Sequence, residues 1–464
     1  MPNLPINKLN IAKAFYLLFL ASLFFPLRFV FPTKDAFETG AYSDFTSISL
    51  YLSDIFLFLT LLFLFLPRGI ASLPRGEGIP PRGEIDISRG RIAFLLKNKP
   101  LSLFIFCFWL ILGLFWHFKT LSEINWWFFF KYLELIVAYG TTAYLFRETS
   151  IKTTFLKVFV FFSSFQSILA ISQFFAQKSI GLQKIGEQVL SPSILGIAKI
   201  VSSGTTYIRG YGTFPHPNLL SAFLCVSLII CLHLLVSSRK PIEKISYLAL
   251  LIINAVGLTV TFSRAGFLGA GVAILIFFGL FSWKNWQSNI KTILYSLLIM
   301  ALLGLGLILI FKPFLESRAT VSDQASLERI FYAKTAWQMI KHQPIFGVGI
   351  GESVIHMQQY TQIKLWPWQI QPVHNYFILA TAELGFPGAI ILLWIFFAHI
   401  KIIILNLKKE FSEYSFLLLA IFLPFLILMQ FDHYFYTLQQ TQMLLWIFLG
   451  IILSQQKTPQ TREL

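Results

Sequence analysis

Residues 217–236 read PNLLSAFLCVSLIICLHLLV, a run without a single charged side chain. The hydrocarbon core of a bilayer is about 30 Å thick, so a helix of about 20 apolar residues crosses it. Similar runs occur along most of the chain, and the sequence predicts twelve membrane spans. They are 12–31, 48–66, 101–118, 125–146, 154–176, 217–236, 245–262, 265–283, 292–312, 376–400, 414–431 and 439–454.

The composition agrees with a protein that is dissolved in lipid. Of the 464 residues, 56% are hydrophobic and 12% are charged, and the mean hydropathy is +0.70. Only helices and closed barrels satisfy their backbone groups inside a bilayer. The runs are too long for barrel strands and do not alternate between polar and apolar residues. The sequence therefore predicts an all-α polytopic membrane protein, one domain over residues 1–464, with about 12 transmembrane helices.

The net charge of +16 is unevenly distributed. With an even number of spans both termini lie on one side, and the segments on that side hold more Lys and Arg than the others. This bias is typical of cytoplasmic segments. We therefore predict a multi-pass protein of a bacterial-type cytoplasmic membrane with both termini cytoplasmic. The excess charge follows from topology, so no nucleic-acid partner is predicted.

Three segments between the predicted spans are long. Residues 67–100 are predicted to be a flexible cytoplasmic linker, because Pro-Arg-Gly recurs every seven residues from 67 to 83 and Ser-Arg-Gly follows at 88–90. Residues 177–216 form an outer loop that could hold short re-entrant pieces. Residues 313–375 form a large extracytoplasmic loop before the tenth span.

The large loop is predicted to contain a surface helix. Ser326 can cap its start, and Pro344 ends it. The residues that then share one face, by which we expect the helix to pack, are Ile330, Ala333, Trp337 and Ile340. The glycines that follow, at 347, 349 and 351, resemble a phosphate-binding loop only loosely. Because no Lys-Ser/Thr pair follows them, a tight packing turn is the better interpretation.

Four basic residues of the predicted outer face are candidates for chemistry: Arg209, Arg264, Arg329 and His374. Ionisable groups at a membrane boundary are costly and suggest a function, although Arg264 could instead snorkel from a helix end and Arg329 could pair with a nearby glutamate. The small residues around Arg264 let another element approach it closely.

His374 is the strongest single candidate. It begins the tenth span beside Asn375, and an imidazole can remove a proton from a hydroxyl group near neutral pH. Glu383 lies in the same span but on another helical face, so we expect it to partner a buried basic or polar group. His216, between two prolines before Asn218, is expected to be a structural hydrogen-bonding residue.

Four sequence motifs occur in a characteristic order. They are Gly-Thr-Phe-x-x-Pro-Asn at 212–218, Thr-x-Ser-Arg at 261–264, Arg329 followed by Pro344-x-x-Gly-x-Gly, and His374-Asn375-x-Phe with Glu383-x-Gly. Together they resemble the O-antigen ligase and O-antigen polymerase superfamily, which includes some protein O-oligosaccharyltransferases. The resemblance is close over residues 200–400. The arginine-glycine linker departs from the family pattern.

The resemblance implies an inverting glycosyltransferase that uses neither a metal nor another cofactor. It would transfer a glycan from a polyprenyl diphosphate to a hydroxyl group of a glycan, lipid or protein acceptor, at an extracytoplasmic active site. Arg209, Arg264 and Arg329 would bind the diphosphate, and His374 would deprotonate the acceptor. Asn218, Asn375 and Glu383 would support them.

Two other function classes remain open at this stage. A transporter or flippase for a lipid-linked sugar or small anion would place its polar site near the bilayer midplane, often between internal repeats. The sequence shows no convincing repeat, and its polar candidates cluster at one membrane face. A non-catalytic scaffold is the third possibility, and only the arginine and histidine set argues against it.

Overall fold

The computed structural model describes residues 8–37, 43–65, 101–319, 324–366, 369–410 and 413–456. The predicted Pro-Arg-Gly linker at 67–100 lies outside the described residues. Helices dominate the described part of the chain, and two short antiparallel hairpins accompany them.

The first half of the chain contains five helices and two hairpins, taken over the described residues. They are α1 (Lys8–Ser22), β1 (Arg28–Pro32), β2 (Ser47–Tyr51), α2 (Leu52–Phe65), α3 (Leu101–Trp116), α4 (Glu123–Leu145), α5 (Thr149–Ala176), β3 (Lys199–Ser202) and β4 (Thr205–Ile208).

The second half is helical throughout its described elements. They are α6 (Pro217–Ser237), α7 (Pro241–Thr261), α8 (Arg264–Ala319), α9 (Gln324–His342), α10 (Ser353–His356), α11 (Tyr376–Glu410), α12 (Glu413–Phe431), α13 (Tyr434–Thr437) and α14 (Gln439–Ser454).

Several helices have the length and apolar composition of membrane spans. Six helical stretches within the described residues meet both criteria, and they lie in α5, α6, α7, the second part of α8, α11 and α12. Shorter apolar helices occur at α2, α3, α14 and the first part of α8. The membrane class is confirmed, whereas the count of twelve spans stays a prediction.

Helix α8 reverses direction within its length. The ring of Phe311 lies 6.1 Å from the ring of Phe262, which precedes the first residue of the helix. A straight helix rises 1.5 Å per residue and would separate these positions by about 70 Å. Its apolar parts, Arg264–Leu280 and Leu294–Glu316, therefore run in opposite directions, as expected for the two predicted spans 265–283 and 292–312.

The boundaries predicted for the first two spans, 12–31 and 48–66, are wrong. Helix α1 ends at Ser22, and β1 pairs with β2 where the two spans were expected to continue. Pro26 follows α1 and cannot donate a helical hydrogen bond. The aromatic and branched residues of β1 suit a strand, but a count of apolar residues does not distinguish them from a helix.

The outer loop 177–216 contains a hairpin, β3–β4, and a short 3-10 helix at Gln183–Ile185. Glu187 organises its first half, because its carboxylate accepts hydrogen bonds from the backbone N–H groups of Ile180, Gly181 and Leu182. No re-entrant helix occurs in this segment, all of which the structure describes.

Helix α9 forms where the surface helix was predicted, but it begins at Gln324, ahead of Ser326, and a different face is buried. Ile330 and Trp337 remain about half exposed, whereas Tyr332 and Met339 are buried beside Ile340. A tyrosine scores as weakly apolar, so the sequence pattern missed its place in the packed face.

The turn after α9 interlocks with a kink in α11. Val348 N–H donates to Ala382 O at 2.8 Å, and Phe386 N–H donates to Pro344 O at 2.9 Å. Gly385 interrupts α11 with a φ of 71°, and a side chain there would collide with the backbone of Ile345. The glycine-rich segment is therefore a packing turn, and it fixes the part of α11 that follows His374.

Candidate functional site

Arg264 opens α8 at the tight turn that follows α7. Ser263 Oγ accepts a hydrogen bond from Gly266 N–H at 3.1 Å, which caps the start of the helix. A side chain at Gly266 would come within 2.7 Å of Ser221 Cβ, so the glycine allows α6 to pack directly against this turn. The small residues around Arg264 therefore allow the expected close approach.

Arg209 is held by a turn that two glutamines of α5 anchor. The side-chain oxygens of Gln166 and Gln173 accept hydrogen bonds from the backbone N–H groups of residues 211–213, at 2.8 to 3.0 Å. Arg209 is buried and donates from Nε to Thr261 O at 2.5 Å. Its guanidinium thereby connects the turn to the end of α7.

Two of the three predicted arginines line one cavity of about 290 Å³. Its polar side is formed by Arg264, Arg329 and Asn218. Its apolar side includes Leu268 and Phe431, which are exposed on the outer surface of the helices. The first turn of α8 also lines the cavity, and the positive end of a helix dipole favours an anion. The cavity thus combines cationic groups with an apolar exit.

Asn375 places His374 at the start of α11. Its Oδ1 accepts hydrogen bonds from the backbone N–H groups of Phe377 and Ile378, both at 3.0 Å, as a helix cap does. Its Nδ2 donates to Gln430 O at 3.0 Å and so connects the cap to the end of α12. The His374-Asn375 pair therefore consists of a candidate base and the cap that positions it.

Asp432 joins the histidine to the arginines. Its Oδ1 lies 3.4 Å from His374 Nδ1, and its Oδ2 accepts a hydrogen bond from Asn218 Nδ2 at 2.9 Å. Asn218 Oδ1 in turn accepts from Arg209 Nη2 at 2.7 Å. A continuous polar chain therefore runs from Arg209 through Asn218 and Asp432 to His374.

The protonation states of this cluster are set by burial and by neighbouring charges. Burial alone would raise the pKa of Asp432, but the imidazole of His374 3.4 Å away, with two further histidines, brings it below its ordinary value. Burial lowers the pKa of His433 to about 3, and the charge of His374 adds to this effect. Burial and the charge of Arg209 lower the pKa of His216 to about 3. At neutral pH the cluster therefore holds one carboxylate and neutral His216 and His433.

His216 has the structural role expected of it. Its Nδ1 accepts a hydrogen bond from Asn218 N–H at 3.1 Å and caps α6. His433 follows Asp432 and places its Nδ1 2.7 Å from Thr437 Oγ1. Its ring packs against that of His374, with the centroids 5.1 Å apart.

Within the described residues, the side chains of His374, Asp432 and His433 have ligand atoms close enough to hold a metal ion. These atoms lie within 4.8 Å of one another. Zinc binds imidazole nitrogens at about 2.1 Å, which puts tetrahedral ligand atoms roughly 3.4 Å apart. The cluster would have to contract to hold such an ion, and the metal-free site stays a prediction.

Glu383 is buried and organises the packing turn. Its carboxylate accepts hydrogen bonds from Gly351 N–H at 2.7 Å and from Ser353 Oγ at 2.6 Å. It therefore partners polar groups, as expected, and they are backbone and hydroxyl donors of the turn that packs on α11.

The structure brings most of the predicted site residues together and adds one. The cavity is lined by Arg264, Arg329 and Asn218. Arg209 does not line it but donates a hydrogen bond to Asn218. Asp432 was missed because it lies far along the chain, after α12. The available signal was an Asp-His pair between two apolar runs, since charged groups at such positions are often functional.

A comparison with protein-family models matches residues 248–393 to the family described as O-antigen ligase. The match includes Arg264, Arg329 and His374 and ends before Asp432. No curated protein matches the chain. The matched segment contains three of the four motifs, and the motif at 212–218 precedes it. The chain therefore combines helices long and apolar enough to span a membrane with a segment, residues 248–393, that matches the O-antigen ligase family, and this match supports glycan transfer of the O-antigen ligase type in envelope polysaccharide synthesis.

Proposed function

We propose that the chain transfers a glycan from a polyprenyl diphosphate carrier to an acceptor hydroxyl group at the outer face of the membrane, without a metal ion. The observation that carries this proposal is the cavity between Arg264 and Arg329, connected through Asn218 and Asp432 to His374. It combines a site for an anion with a candidate base.

The cavity suits the diphosphate of the carrier. Guanidinium groups bind phosphate oxygens through two parallel hydrogen bonds and stay charged at any relevant pH. Negative charge grows on the leaving diphosphate as its bond to the sugar breaks, so donors placed there stabilise the transition state by about 3 kcal/mol each. The exposed Leu268 and Phe431 at the same cavity offer apolar contacts for the first isoprene units.

His374 would activate the acceptor. Its imidazole takes the hydroxyl proton as the acceptor oxygen bonds to the anomeric carbon. The bond between that carbon and the phosphate oxygen breaks, and its electron pair leaves with the diphosphate. A single displacement of this kind inverts the anomeric configuration. The Asp432 carboxylate beside Nδ1 orients the ring and stabilises the imidazolium that forms.

The experiment is transfer by the purified protein in liposomes, from a labelled polyprenyl diphosphate glycan to acceptors from the host envelope, with a chelator present. We expect a transferred glycan with inverted configuration. If the labelled donor only moves between leaflets and no acceptor is glycosylated, the chain is a transporter. If activity vanishes with chelator and returns with a divalent ion, the metal-free mechanism is wrong.

The diphosphate role has its own test in Arg264→Lys, which keeps the charge but removes the planar fork. We expect the half-saturating donor concentration to rise and the transfer rate to fall, together by about 10- to 1000-fold. Arg239→Lys makes the same change at an exposed arginine between α6 and α7 and should behave as wild type. Near-normal turnover of Arg264→Lys would remove Arg264 from the site.

A further inference from the structure

A second cavity, of about 50 Å³, lies beneath the β1–β2 hairpin. The hairpin, the start of α4 and the start of α14 all contribute to its wall. A space of this size admits several water-sized groups, since one water needs about 10–15 Å³. The cavity shares no lining residue with the arginine cavity.

The wall of this cavity offers aromatic rings and paired charges. Lys131 lies 4.6 Å from the Trp127 ring centre, and its ammonium forms ion pairs with Asp54 at 2.8 Å and Glu134 at 2.7 Å. Arg28, on the hairpin, pairs with a carboxylate of the same hairpin at 2.9 Å. Because carboxylates already neutralise these cations, the wall suits a neutral polar ligand better than an anion.

One buried acceptor in this wall lacks a partner among the described residues. Gln439 is 3% exposed, and its Nε2 donates to Asp54 Oδ1 at 2.5 Å. Its Oε1 accepts no hydrogen bond from the described part of the chain, although the residue lines the cavity. A buried acceptor is costly unless a donor satisfies it. If the amide turns towards the cavity, a ligand hydroxyl group would supply that donor.

Side chains in the wall of the cavity contact His433, which packs against the candidate base. Phe45 and Thr437 both line it. The Phe45 ring packs 5.6 Å from the ring of His433, whose Nδ1 lies 2.7 Å from Thr437 Oγ1. His433 packs in turn against His374. The arginine cavity is connected to the same base along a different route, through Asn218.

We propose that this cavity binds one edge of a neutral sugar residue of the acceptor glycan. The inference rests on the proposed function, in which the nucleophile approaches the anomeric carbon from the side opposite the leaving diphosphate. The acceptor therefore needs a site near His374 that is separate from the arginines. Trp127 offers an aromatic surface for the sugar ring, and Gln439 Oε1 accepts from one of its hydroxyl groups.

Two pairs of adjacent residues provide matched variants. Gln439→Leu removes the unpartnered acceptor of the cavity. Gln440→Leu removes another buried Oε1 without a partner in the described residues, at a position that does not line the cavity. Trp127→Leu removes the aromatic surface, and Trp126→Leu makes the same change at an exposed neighbour.

The first readout is equilibrium binding, without donor, of a tagged oligosaccharide from the host's own envelope glycan, in a neutral form and in a form with a uronic acid. We expect Gln439→Leu and Trp127→Leu to weaken binding of the neutral form by about 10-fold or more, and the two controls to bind as wild type. Equal binding by all four variants, or preference for the uronic acid form, would overturn the proposal.

The second readout separates this inference from the proposed function. With donor present, the two cavity variants should raise the half-saturating acceptor concentration while cleavage of the donor by water stays within about 2-fold of wild type. If wild type transfers glycan and the cavity variants saturate normally, the acceptor site is wrong and the function stands. If wild type neither transfers nor cleaves donor, the function fails, and the binding readout still decides the cavity.

Discussion

Replacing Asp432 by asparagine tests how the site activates its nucleophile. The substitution keeps the size of the side chain and an oxygen that can accept from Asn218 Nδ2, but it removes the charge 3.4 Å from His374 Nδ1. That charge stabilises the imidazolium formed when His374 takes the proton. The rate of transfer should therefore fall.

The magnitude follows from this distance. Two unit charges 3.4 Å apart interact by about 5 kcal/mol at an effective dielectric constant of about 20. Partial contact with water and the remaining hydrogen bonds reduce this value, so a loss of about 2 to 5 kcal/mol is expected. At 1.36 kcal/mol per tenfold change, that is a decrease in kcat of about 30- to 5,000-fold.

The assay is steady-state transfer by purified Asp432→Asn and wild type, with donor binding measured separately. Because Asn218 keeps a partner, the half-saturating donor concentration should change by less than about 3-fold. A folded variant whose kcat stays within about 5-fold of wild type would refute the role of Asp432. A variant that loses donor binding and keeps kcat would assign Asp432 to the arginine cavity instead.

Three further predictions concern the scaffold and its pH dependence. Glu383→Gln replaces one carboxylate oxygen with an NH2 group, so one of the donors at residues 351–353 loses its acceptor. This loss should cost about 1.5 to 3 kcal/mol of stability and lower the apparent Tm in detergent. An unchanged Tm would contradict this role of Glu383. Gly385→Ala would place Cβ 1.8 Å from Ile345 O and should abolish folded yield, whereas Gly113→Ala, with nothing within 4 Å of its added Cβ, should fold normally. Burial lowers the pKa of His433 to about 3 in the folded protein, so below about pH 6.5 this histidine takes up a proton in the unfolded chain but stays neutral in the folded one. The free energy of unfolding should therefore fall as the pH drops from about 6.5 towards 3. An equal Tm at about pH 7.5 and about pH 5 would contradict this.

The sequence predicted the helices best where long apolar runs lack strand-forming interruptions. The run 217–236 corresponds to α6 almost residue for residue. The prediction of a span at 12–31 failed, because the count of apolar residues stays high through Pro26 and into a strand. Pairing between β1 and β2 depends on a contact between distant segments, which the periodicity of either segment alone does not reveal.

The candidate site was predicted only in part, because some of its contacts also join segments that are distant in sequence. Arginines and a histidine at the ends of apolar runs are conspicuous, so Arg264 and His374 could be singled out. The role of Asn218 as a bridge, with Arg209 on one side and Asp432 on the other, depends on how α6 and α12 pack. The pairing of the glycine turn with Gly385 likewise appears only in three dimensions.

The most direct measurement is the transfer rate of His374→Ala at saturating donor, with chelator present and with donor binding measured on the same sample. The account predicts chelator-resistant transfer by wild type and a loss of about 100- to 10,000-fold in His374→Ala with donor binding retained. His342→Ala, at an exposed histidine at the end of α9, should match wild type. Transfer by His374→Ala within about 3-fold of wild type would contradict the account.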